Sequence, residues 1–229
     1  MKAVILAAGV GKRMLPLTKD TPKPLLRIAN RPILDYIFDS LSGEVETVIL
    51  VVGYLEHKIR TYLGVRYQGK TIRYVRQDEL SGTATALLLT KELFQKNERF
   101  LLIYGDELPT KEEIKNCLDK KYSWLCTKSP NPKQSGIAEI DTNGKIVHVI
   151  EKPENPKSDM CAAGVMVIDA SIFNYTPVQH ANGDYYLTAL MNEFAAQHDV
   201  YAVYGRQRPP FLSADELSKI DPINLTLLS

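Results

Sequence analysis

The sequence predicts an α/β fold in which a mixed β-sheet is flanked by helices. Short β-branched runs alternate with amphipathic stretches whose apolar residues recur three and four positions apart, as in βαβ units. The first, second and fourth runs are almost entirely apolar, which is typical of strands covered by helices on both faces of a mostly parallel sheet. The predicted strands cover residues 2–6, 47–52, 71–75, 100–104 and 123–128, and the helices between them cover 33–41, 55–63, 84–94 and 111–118.

The second half of the chain has the pattern of an antiparallel sheet. After about residue 130, the dipeptide Asn143-Gly144 is a strong hairpin signal between two short alternating runs. No linker or internal repeat separates the two patterns, so we expect one domain over residues 1–229, built from the halves 1–130 and 131–229. The elements predicted in the second half are strands 136–140, 145–151, 164–169 and 200–204 and helices 185–197 and 215–220.

The composition gives no sign of a nucleic-acid or membrane partner. The 28 Lys and Arg residues against 27 Asp and Glu leave a net charge of +1, so any anion site must be local. No apolar run reaches the roughly 18–20 residues of a transmembrane helix, and the apolar start at residues 3–10 is too short for a signal peptide. The 3 cysteines form neither a CxxC pair nor an even disulfide set. We therefore expect a cytoplasmic protein without nucleic-acid or membrane partners.

A glycine-rich turn with the sequence GVGKR, residues 9–13, follows the first predicted strand. A Walker A loop does not fit, because Leu6 stands at its first glycine and Arg13 at its Ser or Thr. A Rossmann fingerprint does not fit either, because Met14 replaces its third glycine and no acid follows the second strand. Both familiar phosphate loops are thus excluded.

The turn and the Pro-Lys-Pro segment after it closely resemble the motifs of sugar nucleotidyltransferases. Lys23, inside that segment, lies ten residues past Arg13. Backbone N–H groups at Gly9 and Gly11 can approach phosphate oxygens, and the two cationic side chains can hold a triphosphate from two sides. The resemblance implies a GT-A-like, Rossmann-like fold with an antiparallel sugar-binding half. It also implies that Ala8, Gly9 and Gly11 bind the nucleotide and that Arg13 and Lys23 take part in catalysis.

Gln77 and Gly82 resemble the base-recognition segment of that family. A Gln amide can donate to a carbonyl of uracil or thymine and accept from N3–H, while a glycine lets the base lie close to the backbone. This pairing favours UTP or dTTP. The run at residues 82–84, GTA, also resembles the guanylyl and cytidylyl branches of the family, so the choice of base stays open.

Asp106 stands where the family has a Gly-Asp pair whose carboxylate binds Mg²⁺. A hard cation prefers carboxylate oxygen and keeps phosphates and water as its other ligands, so one or two acids suffice. Many members carry a second metal-binding acid near the C-terminus, and its position falls on Pro210 here, so that acid is missing. Asp184, Asp215 and Glu216 are the nearby acids that could replace it.

Four positions in the second half resemble the sugar-phosphate side of the family's site. Glu151 and Lys152 repeat an EKP motif in which the Glu accepts hydrogen bonds from sugar hydroxyls and the Lys binds the phosphate. Gly136 corresponds to a sugar-binding glycine at the start of a strand. Gly164 corresponds to a small-residue strand that passes under the sugar, although a packed core strand explains this glycine equally well.

These resemblances imply an enzyme that joins an NTP and a sugar 1-phosphate into an NDP-sugar and releases pyrophosphate. No protein nucleophile is needed, because the sugar phosphate attacks the α-phosphorus in line. Catalysis is then positioning and charge neutralisation by Arg13, Lys23, Lys152 and Mg²⁺ on Asp106. Two alternatives stay open: a cytidylyltransferase acting on a small alcohol phosphate such as phosphocholine, and a regulatory paralogue that binds a nucleotide sugar without turnover.

Overall fold

A mixed sheet of ten strands runs through residues 1–207, the part of the chain that this computed structural model describes. A separate two-stranded ladder lies beside it. The strands are β1 (Lys2–Ala7), β2 (Arg27–Ile28), β3 (Arg31–Pro32), β4 (Thr47–Val52), β5 (Arg66–Tyr67), β6 (Lys70–Arg76), β7 (Arg99–Tyr104), β8 (Ser123–Lys128), β9 (Gly136–Ile140), β10 (Ile146–Glu151), β11 (Met160–Asp169) and β12 (Tyr201–Tyr204). The helices are α1 (Ile33–Ser40), α2 (Glu56–Leu63), α3 (Thr83–Leu88), α4 (Lys111–Leu118) and α5 (Leu187–Gln197).

In the first half of the sheet β1, β4, β6 and β7 are parallel, as the apolar runs predict, and the short β5 pairs antiparallel with β6 at the edge. β1 lies in the middle and pairs in parallel with β4 and β7, so that Ile5 faces Leu50 on one side and Ile103 on the other. β6 continues the parallel set beyond β4. Parallel strands buried on both faces need apolar residues at every position. The strand order β10-β9-β11-β7-β1-β4-β6-β5 confirms the predicted mixed α/β sheet.

The second half of the sheet is antiparallel and is organised around β11. This strand pairs antiparallel with β7, β8 and β9, and it begins four residues earlier than the predicted 164–169 because Met160 and Cys161 pair with β8. The hairpin between β9 and β10 turns at the predicted Asn-Gly, where Gly144 has φ +79° and its N–H donates to the Asp141 carbonyl over 3.1 Å. β8 pairs in parallel only with β12.

Several predicted boundaries are wrong. The helix predicted over 84–94 is the short α3 followed by a separate 3-10 turn at Lys91–Leu93. It ends early because the Thr90 N–H and hydroxyl both bind the Leu87 carbonyl, which closes the last turn. The two-residue strands β2, β3 and β5 are too short to show an alternating pattern, so the sequence did not predict them. The helix predicted over 215–220 lies outside the described residues.

The two faces of the sheet bury separate apolar clusters. Alternate residues of β1 point to opposite faces, so Ala3 and Ile5 pack with α1, while Val4 and Leu6 pack on the side of α3 and α5. This packing brings the carboxyl ends of β1, β4 and β7 to one edge of the sheet. In an open α/β sheet that edge is where ligands bind. Within residues 1–207, no helix is long and apolar enough to cross a membrane.

Candidate active site

A cleft of about 590 Å³ opens at the carboxyl edge of the parallel strands. The residues that line it come from the glycine-rich turn, the Pro-Lys-Pro segment, the start of α3, the loop after β7 and the segment before α5. The structure thus brings together all the predicted nucleotide-binding and catalytic residues of the first half. These are Ala8, Gly9, Gly11, Arg13, Lys23, Gln77, Gly82 and Asp106.

The glycine-rich turn has a conformation that requires glycine at one of its two positions. Gly11 has φ +68°, and a Cβ there would lie 3.0 Å from the Thr18 side chain and 3.2 Å from that of Lys23. Its carbonyl accepts from the Met14 N–H over 2.8 Å and from the Thr18 hydroxyl over 3.0 Å. Gly9 is different, because a Cβ there would meet no atom within 4 Å. A side chain at Gly9 would therefore occupy space that the cleft now leaves for a ligand.

Two cationic side chains on this turn form no ion pair within the described part of the chain. Lys12 and Arg13 are exposed, line the cleft, and form no salt bridge with any residue between 1 and 207. Lys12 is a residue that the sequence analysis did not assign to the site, although it lies within the turn motif. Two unpaired cations beside open backbone N–H groups favour an anionic ligand.

Asp106 and Lys23 form an ion pair at the floor of the cleft. Asp106 follows β7 through Gly105, whose N–H donates to the Leu6 carbonyl over 2.8 Å and thereby fixes the loop against β1. The Lys23 ammonium donates to the Asp106 carboxylate. Burial acts to raise the pKa of the Asp106 carboxyl, but the nearby charges of Lys23 and Arg13 and the hydrogen bond from Lys23 hold it below its usual value. Asp106 is therefore an anion at neutral pH.

Gln77, which follows β6 and also lines the cleft, is almost fully buried, with 5% of its surface exposed. Its amide nitrogen lies 3.1 Å from the Gly82 carbonyl and 3.1 Å from the Thr85 hydroxyl. Both N–H groups of the amide are therefore used within the protein. The expected donation from Gln77 to a base carbonyl is corrected by this geometry, because only the side-chain oxygen is left for a ligand.

Gly82 has a packing role that the sequence did not reveal. Its φ is +123°, and a Cβ there would lie 2.3 Å from the Tyr185 carbonyl oxygen. The Ala84 N–H donates to that carbonyl over 2.9 Å, and the Tyr185 N–H donates to the Ser81 carbonyl over 2.8 Å. The glycine thus lets the chain before α5 pack against the start of α3. This contact, rather than only the approach of a base, requires glycine at this position.

The four residues predicted to bind the sugar phosphate do not line this cleft. Gly136, Glu151 and Gly164 lie on β9, β10 and β11, and Lys152 directly follows β10. Glu151 accepts a hydrogen bond from the Thr188 hydroxyl, and a Cβ on Gly136 would lie 3.3 Å from its carboxylate. Lys152 is exposed and has a φ of +47°. Its ammonium lies 5.4 Å from the centre of the Tyr186 ring, and Tyr186 does line the cleft.

Gly164 supports the wall of the cleft from below. A Cβ on Gly164 would lie 2.5 Å from the ring of Tyr104, a cleft residue at the end of β7. The Gly164 N–H donates to the Glu107 carboxylate over 2.7 Å, which connects β11 to the loop that carries Asp106. Burial raises the pKa of the Tyr104 phenol, so it stays protonated at neutral pH. The sequence missed Tyr104 and Glu107, although both lie within two residues of Asp106.

The carboxylates of the cleft suit a divalent cation whose other ligands are water and phosphate oxygens. Among residues 1–207, no three His, Cys, Asp or Glu side chains form a group that could hold a metal ion. Asp106 and Asp184 are the carboxylates that line the cleft. Mg²⁺ keeps several waters and phosphate oxygens and needs few protein carboxylates. The prediction about the second acid rests on residues outside the described part of the chain, which are Pro210, Asp215 and Glu216.

The fold and the cleft define a class of α/β proteins that transfer nucleotidyl groups. A solved structure described as a glucose-1-phosphate thymidylyltransferase from Bacillus anthracis is similar, with a TM-score of 0.82 and 25% identity over 96% of this chain and 93% of that one. The sequence profile of the nucleotidyl transferase family matches residues 2–207. The chain belongs to this family, which confirms the predicted resemblance.

Two curated relatives show the range of proteins to which the chain is similar. The bifunctional protein GlmU of Methanocaldococcus jannaschii is 35% identical over 173 residues, which cover 76% of this chain and 41% of GlmU. The UTP–glucose-1-phosphate uridylyltransferase AglF of Haloferax volcanii is 32% identical over 182 residues, which cover 76% of this chain and 74% of AglF. The chain thus spans about two-fifths of the length of this GlmU.

Proposed function

We propose that the chain transfers the nucleotidyl group of a nucleoside triphosphate to a sugar 1-phosphate. The observation that carries the proposal is the cleft itself, where a glycine-rich turn with free cations, an ionised Asp106 and the buried Gln77 meet at one sheet edge. The family match and the activities for which AglF and the Bacillus anthracis protein are named support the same reaction. Both names specify pyrimidine nucleotides, so UTP and dTTP are the first candidates.

On the nucleotide side, the triphosphate lies along the glycine-rich turn. The backbone at Ala8, Gly9 and Gly11 offers N–H groups, and Arg13 adds a guanidinium that suits two phosphate oxygens. The base lies at the far end of the cleft, near Gln77 and Gly82. Leu80 and Thr83 also line the cleft, and we place them between the base and the triphosphate.

On the acceptor side, the sugar phosphate approaches from the antiparallel half. Glu151 accepts hydrogen bonds from sugar hydroxyls, Gly136 lies beside the Glu151 carboxylate, and Gly164 lets the Tyr104 ring pack against β11 next to the cleft. Lys152 binds the acceptor phosphate from the rim, where the Tyr186 ring lies beside its ammonium. Bringing two phosphates together requires cations between them, and Lys152 and Lys23 supply positive charge from opposite sides.

Mg²⁺ is the cofactor that we assign to the nucleotide. Asp106 is the residue that would hold it, and a divalent cation there would neutralise charge on the phosphates. In the protein without nucleotide, Lys23 supplies that neutralisation for Asp106. When Lys23 leaves the carboxylate, it becomes available to the α-phosphate. Asp106 and Lys23 therefore exchange partners when the nucleotide binds.

The reaction needs no covalent intermediate on the protein. An oxygen of the sugar 1-phosphate forms a bond to the α-phosphorus, and the bond from that phosphorus to the bridging oxygen of pyrophosphate breaks. The departing pyrophosphate keeps the electron pair. Arg13 and Lys23 stabilise the negative charge that develops on the leaving group and the α-phosphate, so catalysis is positioning and electrostatic stabilisation.

A grid assay of pyrophosphate release tests the proposal. The grid crosses UTP, dTTP, CTP, GTP and ATP with sugar 1-phosphates and phosphocholine, each with Mg²⁺. We expect release with a pyrimidine triphosphate and at least one sugar 1-phosphate. Release only with CTP and phosphocholine would identify the alcohol-phosphate enzyme instead. Tight binding of a nucleotide sugar without any pyrophosphate release would identify the regulatory paralogue.

A further inference from the structure

The hydroxyl of Thr85 is the centre of a closed hydrogen-bond network at the base end of the cleft. It accepts from the Ser81 hydroxyl over 3.0 Å and from the Gln77 amide nitrogen over 3.1 Å. It donates to the Gly82 carbonyl over 2.9 Å. One donor and two acceptor positions are all that a hydroxyl offers, so the hydrogen-bonding capacity of Thr85 is fully used.

This network determines which way the Gln77 amide points. The Gly82 carbonyl can only accept, so the Gln77 atom 3.1 Å from it must be the nitrogen. Turning the amide over would place its oxygen against that carbonyl, which is a repulsive contact. The second N–H is bound by Thr85. The side-chain oxygen of Gln77 accepts no hydrogen bond from residues 1–207, and Gln77 lines the cleft.

We infer that Thr85 is a specificity-determining positioning residue that makes Gln77 an acceptor only. Such a group binds a base whose ring nitrogen carries a hydrogen, as N3 of uracil and thymine does. It rejects cytosine, whose N3 carries a lone pair that would face the Gln77 oxygen. Guanine also presents a ring N–H, so Gln77 does not by itself separate uracil from guanine. The inference rests on the proposed function, because it places a nucleotide base beside Gln77.

The variant Thr85→Val tests this role with little change in shape. Val keeps the branched side chain but removes the hydroxyl, so one Gln77 N–H loses its acceptor and becomes available to a lone pair on the base, while the Gly82 carbonyl still binds the other N–H. We expect the preference for UTP over CTP to fall about fivefold, the scale of one hydrogen bond. Thr85→Ser keeps the hydroxyl and retains the preference. Thr61→Val, at an exposed position of α2, is the matched control and changes nothing.

The experiment measures the dissociation constants of UTP and CTP by calorimetry with Mg²⁺, on the full chain and the three variants. If the role of Thr85 were purely structural, Thr85→Val would weaken the binding of UTP and CTP equally. The inference requires the ratio of their dissociation constants to change. An unchanged ratio in Thr85→Val, or equal affinities in the unaltered protein, overturns it. The grid assay is independent of this result. If no pyrophosphate is released but the binding ratio responds to Thr85→Val, the proposed reaction fails while the role of Thr85 stands.

Discussion

Lys23 and Asp106, which lie 83 positions apart in the chain, form an ion pair between the Pro-Lys-Pro segment and the loop after β7. Lys23 is mostly buried and Asp106 is half-buried, so the pair is screened less than a surface salt bridge. It joins the two residues that we expect to contact the nucleotide from different elements. Lys23 keeps the Asp106 carboxyl in its charged form by lowering its pKa, until a metal takes the place of Lys23.

Replacing Asp106 with Asn tests the metal role. The change keeps the size and polarity of the side chain but removes the charge, so we expect kcat to fall by at least about 100-fold, as for the loss of one preorganised electrostatic contact. Activity is measured by pyrophosphate release, and folding is checked by circular dichroism. Near-normal turnover at saturating Mg²⁺ would contradict the metal role of Asp106.

Replacing Lys23 with Met tests the origin of the low pKa of Asp106. Burial acts to raise this pKa, and Lys23 is the main group that lowers it. Without Lys23, the pKa therefore rises, and Asp106 takes up its proton at a higher pH as the solution is acidified. Carboxyl ¹³C titration by NMR measures the change. In the unaltered protein the stabilisation from the pair is present above the unfolded-chain pKa of about 4 and is lost as the pH falls through the lower folded-state pKa.

The control for this titration is Lys157→Met. Lys157 forms an exposed ion pair with Glu139 and lowers the pKa of that carboxyl. Its replacement should raise the pKa of Glu139 and leave that of Asp106 unchanged. An Asp106 pKa that does not move in Lys23→Met would show that other groups keep the carboxylate ionised.

Arg13→Ala and Lys152→Ala separate the two substrates. Arg13 stands on the glycine-rich turn, so its loss should lower kcat/KM for the nucleotide by an amount equivalent to about 2–4 kcal/mol. Lys152 stands beside Tyr186 at the rim, so its loss should chiefly raise the KM for the sugar phosphate. Lys96→Ala, at an exposed position away from the cleft, is the control. If Lys152→Ala raised only the KM for the nucleotide, the two substrates would be placed the wrong way round.

Gly164→Ala tests the packing of the cleft wall. The new Cβ would lie 2.5 Å from the Tyr104 ring, so we expect a loss of about 1–3 kcal/mol in the free energy of unfolding. Urea denaturation measures this quantity. Gly43→Ala is the matched control, since a Cβ on Gly43 meets nothing within 4 Å. The penalty of Gly164→Ala should shrink when Tyr104→Ala is combined with it, and an unchanged penalty would assign the strain to another contact.

Mg²⁺ affinity tests how far the protein alone holds the metal. Because no group of three ligands is present within residues 1–207 and Lys23 neutralises Asp106, we expect weak binding without a nucleotide. Calorimetry with Mg²⁺ or Mn²⁺ on the nucleotide-free protein should detect no tight site, and a site should appear with the metal–nucleotide complex. A tight site that disappears on replacing Asp184 or Asp215 would show that a second carboxylate completes it.

The sequence by itself determined the order of the longer strands and helices within residues 1–207 and the place of the main site motifs. Apolar runs, alternating runs and the Asn-Gly turn are local patterns, and each reports the environment of its own segment. The glycine-rich turn and Asp106 could be placed at the carboxyl edge because each directly follows a parallel strand. Even so, the start of β11 was missed, because its pairing with β8 sets that limit. The end of α3 was missed because the Thr90 N–H and hydroxyl close its last turn on the Leu87 carbonyl.

Only the tertiary structure decided which groups meet inside the cleft. The Lys23–Asp106 pair and the packing of Gly82 on Tyr185 join distant positions of the chain, and no local pattern reports such a contact. Gly164 could be explained from the sequence either by a ligand or by a packed core, and the neighbouring Tyr104 ring now accounts for it by packing. Which atom of Gln77 is left for a ligand also depends on the tertiary structure. The Gly82 carbonyl and the Thr85 hydroxyl bind the amide nitrogen, so only the side-chain oxygen remains available.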